Sequence, residues 1–103
     1  MIKPEDIKTL DLQKYNLDEI ETAIDESIKQ YHGWHPWEYA LLDAEYPTTI
    51  RDELAKRYVN NGWKYVYHRT TSEDNQRPGL TSFMFSMVSL DEKYTKNYHY
   101  IHK

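Results

Sequence analysis

A chain of 103 residues is long enough for one modest hydrophobic core and too short for two. It holds no cysteine, which excludes disulfides and thiolate metal sites, and its net charge of −4 lies wholly in residues 1–30, where eight acids face four lysines. That balance disfavours nucleic acid as a partner, and no apolar run reaches the roughly 18 residues of a membrane span, so an acidic cytoplasmic protein without membrane contact is expected.

Residues 1–15 read as a leader with at most one turn of helix, begun at Pro4. From Asn16 the pattern sharpens. Leu17, Ile20, Ile24, Ile28 and Tyr31 fall three or four apart, with Asp18, Glu21, Asp25 and Lys29 off the stripe. This spacing predicts a helix from Leu17 to about Tyr31, capped by Asn16 and ended by Gly33. The segment 32–46 is broken by Gly33 and Pro36 yet too apolar for an exposed loop, so it reads as a short strand or a buried connection lying across the core.

A second helix is predicted from about Ile50 to Asn60, with Thr48 and Thr49 available to cap it. Ile50, Leu54, Tyr58 and Val59 point inward, and Arg51, Glu53, Lys56 and Arg57 outward. Gly62 supplies a left-handed exit. Residues 63–71, WKYVYHRTT, are dense in aromatic and branched side chains and predict a strand. A turn-forming loop, 72–79, leads to a second strand over 80–89, whose Phe83, Phe85 and Met87 alternate with Ser82, Met84 and Ser86. The tail 91–103 adds a third strand through Tyr98 and Tyr100 or wraps a partner. The expectation is a single α+β domain over 1–103, two helices packed on a small antiparallel sheet.

Candidate chemistry is sparse. His32 and His35 are three apart, as are His99 and His102, but nothing fixes the third and fourth ligands a zinc ion needs, and no metal or other cofactor is expected. His68-Arg69-Thr70 has the His-x-Thr form that phosphoesterases of cyclic phosphodiesters use in pairs, and no second copy exists. No serine elbow is present, and three glycines are too few for a phosphate-cradling loop. No catalytic residue is therefore assigned, and binding is favoured over catalysis.

Pro47-Thr48-Thr49-Ile50-Arg51-Asp52-Glu53-Leu54, Asn61-Gly62-Trp63-Lys64-Tyr65-Val66-Tyr67 and Leu80-Thr81-Ser82-Phe83-Met84-Phe85-Ser86, following an acidic helix, resemble small α+β accessory proteins of tailed bacteriophages. The resemblance spans residues 17–89 and carries no catalytic residues. It implies a host-directed factor that binds or inhibits a host protein of antiviral defence or gene expression, or else a virion structural or assembly subunit. A nucleotide-sequestering protein is the third reading. With ten tyrosines and three tryptophans to draw on, the recognition residues expected are Trp34, Trp37 and Tyr39, with Asp18, Glu21 and Asp25 steering a basic partner. Self-association is expected through Tyr94, Tyr98, Tyr100 and Ile101, because short chains with open strand edges gain stability by pairing.

Overall fold

The computed structural model describes residues 3–5, 12–71 and 79–102, so residues 72–78 of the expected loop and most of the leader lie outside the described residues. The chain is an α+β protein with a four-stranded antiparallel sheet. In chain order the elements are α1 (Leu17–Tyr31), β1 (Glu38–Leu42), α2 (Thr48–Asn60), β2 (Tyr65–Thr70), β3 (Thr81–Ser86), α3 (Glu92–Thr95) and β4 (His99–His102). The sheet order is β1-β3-β2-β4. β1 and β2 both run antiparallel to β3 between them, so α2 links two parallel strands in a split β-α-β unit.

α1 matches its sequence reading at both ends. The Asn16 side chain accepts from the Glu19 amide at 3.2 Å, and Gly33, at φ 89°, turns the chain away after Tyr31. Ile20 and Ile24 are buried, while Leu17 and Ile28 pack against the same core. Ser27, also buried, serves the sheet: its hydroxyl accepts from the Leu41 amide at 2.8 Å and donates to the Leu41 carbonyl at 3.2 Å. One side chain thus occupies both polar groups that β1 turns outward at that residue, and α1 covers this edge of the sheet. The segment that sequence left between strand and buried connection is β1, paired to β3 from Glu38↔Phe85 to Leu42↔Thr81.

α2 begins at Thr48, two residues before its expected start, on the Pro47 carbonyl and without a side-chain cap. The Thr48 hydroxyl instead accepts from Arg51 Nη2 at 2.7 Å, and Asp52 is engaged by His68. Arg51, expected outward, is 2% exposed. At the other end the Gly62 and Trp63 amides donate back to the Val59 and Tyr58 carbonyls, with Gly62 at φ 118°. Nothing lies within 4 Å of a Cβ added there, so it is the backbone conformation that demands glycine at this exit.

The core lies between the two helices and one face of the sheet, where Ala40, Leu42, Val66, Phe83 and Phe85 meet Ile20, Ile24, Ile50, Leu54 and Val59. Tyr58 joins it with its ring while its hydroxyl donates to Asp25 Oδ1 at 2.6 Å. Burial, and then Asp25, push that phenol well above the ordinary tyrosine range, so it stays a donor. Tyr58→Phe is expected to cost about 1 kcal/mol in urea unfolding followed by circular dichroism, since Asp25 reaches solvent and re-forms its bond with water. A cost above about 3 kcal/mol would mean that the bond ties α1 to α2 far more strongly than that exchange allows. No described helix is long and apolar enough to cross a membrane.

Candidate functional site

Strand alternation sends every second side chain of the sheet away from the helices. In register, Tyr65 stands between Ser86 of β3 and His102 of β4, and Tyr67 between Met84 and Tyr100. Tyr39 of β1 faces Met84 from the other side. Four rings thereby form a two-by-two platform. Tyr65–Tyr67 centroids lie 6.3 Å apart, Tyr67–Tyr100 5.7 Å, Tyr100–His102 5.7 Å and Tyr65–His102 6.1 Å, with interplanar angles of 11°, 38°, 28° and 30°. Tyr100 is 56% exposed.

The connection between β3 and β4 crosses this face and is tethered along its length. The Leu90 amide donates to the Tyr67 hydroxyl at 3.1 Å, and the Tyr98 and Ser82 hydroxyls bond at 3.2 Å. The Tyr94 ring packs on Trp37 at 4.9 Å, and the Arg69 guanidinium sits 4.9 Å from the centre of Tyr98. Asp91 caps α3 by accepting from the Lys93 amide, and Asn97, at φ 68°, reverses the chain into β4. Between the platform and this wall is an open cleft of about 900 Å³, walled by Ser89, Leu90, Glu92, Lys93, Thr95 and Lys96. That volume is in the range of small-molecule sites.

The residues expected to recognise a partner fall in different places. Trp34 is 70% exposed and meets the edge of Tyr31. Trp37 stacks on His35 and meets the Tyr94 ring at a tilt of 55°, so it anchors the α3 segment. Tyr39 lies half-buried on the open face, its phenol raised by burial. Asp18 and Glu21 both accept from Arg57 Nη1 at 2.9 Å, with the Asp18 side chain still 89% exposed, and Asp25, also exposed, accepts from Tyr58. The cluster expected at an oligomer interface is split: Tyr98 and Tyr100 line the cleft, Tyr94 packs on Trp37, and Ile101 packs on the helix-side core.

Sequence reasoning assigned no binding role to Tyr65, Tyr67, Lys93 or Lys96, and weighed His102 only as a metal ligand. The signal was the repeated alternation Tyr65-x-Tyr67-x-Arg69 and Tyr98-x-Tyr100-x-His102, which needs only the pairing of β2 with β4 to become one surface.

A second polar group is internal. His68, fully buried, places Nε2 2.7 Å from Asp52 Oδ1, stacks on His99 at 5.6 Å, and lies beside Phe83 at 6.0 Å. His68 and Thr70, the two ends of the His-x-Thr triplet, are 0% and 3% exposed on the helix side. A phosphodiester cannot reach them in this conformation. Of the other histidines, His32 Nδ1 meets Glu38 Oε1 at 2.7 Å and His35 lies flat on Trp37. No group of three potential metal ligands converges among the described residues. No protein-family model, curated protein or solved structure matches the chain.

Proposed function

We propose that this is a non-catalytic binding protein whose recognition surface is the open face of the sheet, and that it holds a flat, ring-containing small molecule in the cleft between the four-ring platform and the α3 segment. The observation that carries this reading is the platform lying beneath a tethered wall. Cross-strand aromatic pairs contribute about 0.2–1 kcal/mol each to a sheet, which accounts for rings side by side. It does not account for a wall held off those rings by bonds from Leu90 to Tyr67 and from Tyr98 to Ser82. A cleft with an aromatic floor and a few polar groups converging on it is the usual form of a small-ligand site.

Ligand-observed NMR with a library of aromatic fragments tests the reading. Fragments are expected to bind the wild-type protein, shift the signals of Tyr65, Tyr67, Tyr100 and His102, and weaken about tenfold in Tyr100→Ala. Fragments that bind both proteins equally, or that map to the helix side, would refute it.

A host-protein partner, implied by the phage-type resemblance, is favoured by a separate observation. Trp34, at 70% exposed, is the kind of ring that anchors protein interfaces. On that reading Trp34→Ala abolishes capture of one host protein and leaves fragment binding in the cleft unchanged.

A further inference from the structure

The cleft's floor and wall are chemically unlike, and the difference narrows the ligand. The floor is four rings; Tyr67 is buried at its centre, and Tyr65, Tyr100 and His102 leave surface on which a planar molecule can stack. The wall carries two cations, Lys93 and Lys96, one carboxylate, Glu92, and the hydroxyls of Ser89 and Thr95. A purely apolar disc against that wall would take the ammonium and carboxylate groups out of water and return nothing to them. A ligand that is flat at one end and anionic, with hydroxyls, at the other satisfies both sides.

We propose, resting on the cleft reading above, that the ligand is a small nucleotide, its base stacked on the exposed Tyr100–His102 side of the platform and its phosphate held by Lys93 and Lys96. The wall hydroxyls and Glu92 then face the sugar. The cleft, at about 900 Å³, has room for base, sugar and phosphate together. A nucleic-acid strand is a poorer match. Strand binders track the backbone with an extended basic groove, whereas the cleft wall offers two lysines beside a glutamate, on a chain of net charge −4.

Isothermal titration of the full-length protein with AMP, GMP and UMP, and separately with adenosine, inorganic phosphate and a ten-residue oligothymidylate, tests this, with NMR shift mapping on the wild-type protein. Saturable mononucleotide binding that shifts Tyr100 and His102 is expected. Tyr100→Ala, whose parent ring is more than half exposed, should keep its fold and bind about tenfold more weakly. The double variant Lys93→Ala/Lys96→Ala should lose about tenfold for AMP and nothing for adenosine, removing the advantage of the phosphate.

Four results overturn the proposal. They are adenosine binding as well as AMP, phosphate alone binding as well as AMP, the oligothymidylate binding far more tightly than any mononucleotide, and no nucleotide binding up to millimolar concentration. In the last case neutral aromatic fragments separate the two claims. If they still map to Tyr100, the cleft stands and the nucleotide falls; if they do not, both fall.

Discussion

Phe85→Ala is expected to lower the free energy of unfolding by about 3–5 kcal/mol, a large part of what a domain of this size has. The ring has no exposure and sits on β3, paired on both sides, opposite Glu38 of β1 and Val66 of β2. Its neighbours come from separate parts of the chain: Tyr58 of α2 at 4.8 Å, Trp63 after the glycine exit at 5.8 Å, and Phe83 at 6.0 Å. With a strand ladder fixed on either side and a helix above, these neighbours cannot close in on the space left behind, so the lost burial and the cavity both count. Urea unfolding should show a lower midpoint at an unchanged slope. Met87→Ala, at a residue 52% exposed, should stay within about 0.5 kcal/mol of wild type. A Phe85→Ala cost below about 1.5 kcal/mol would mean that the core closes around the gap and that β3 is not its centre.

The parts of the fold legible in the sequence are those governed by local chemistry. α1 was readable because Asn16, the Ile20–Ile24 spacing and Gly33 all act within a few residues of where they sit. β1 was ambiguous for the same reason. Glu38–Leu42 is too short to show a period, and it is strand only because β3 pairs with one side and Ser27 of α1 satisfies the other. Arg51 shows the opposite failure. Periodicity sends a charged residue outward, and a buried arginine bonded to Thr48, beside a buried histidine bonded to Asp52, is a tertiary arrangement that no helical wheel displays.

The candidate site divides along the same line. Tyr98 and Tyr100 were visible as strand-like alternation, but an alternating strand has two faces, and only the register Val66↔Ile101 and Tyr67↔Tyr100 shows which residues share one. Assigning Tyr100 and Ile101 to one surface overlooked that neighbours in a strand point to opposite sides. The pairing of Asp18 and Glu21 with Arg57, far along the chain on α2, is likewise a tertiary contact that helix periodicity does not display. The edge argument for self-association also changes. α1 covers β1, so β4 is the sheet edge left for a second copy, and its outward-facing Tyr100 and His102 already belong to the cleft floor.

The second large effect is expected from pH, through His68. Burial, and then the nearby Arg51 charge, hold its imidazole down to about 4 from an ordinary 6.5, against the opposing pull of Asp52. The geometry agrees with a neutral ring: Nε2–H donates to Asp52, and buried Nδ1 has no hydrogen-bond partner among the described residues, so a second proton there would be unsatisfied. His99 stacked against it adds a further disincentive to charge. Above pH 6.5 the ring is neutral in both folded and unfolded chains, and the full stability is present. Between 6.5 and 4 the unfolded chain binds a proton that the folded one refuses, so stability falls as pH falls, by up to about 1.4 kcal/mol per pH unit and about 3 kcal/mol in all. The readout is the difference between wild type and His68→Gln, which keeps an amide donor for Asp52 but cannot titrate and cancels the contribution of the carboxylates common to both. His68→Gln should be less stable than wild type at pH 7, and that gap should close by most of 3 kcal/mol as pH approaches 4. Parallel stability curves across the window would show that the folded protein protonates His68 as readily as the unfolded chain does, and that the Asp52 pair holds a charged imidazole.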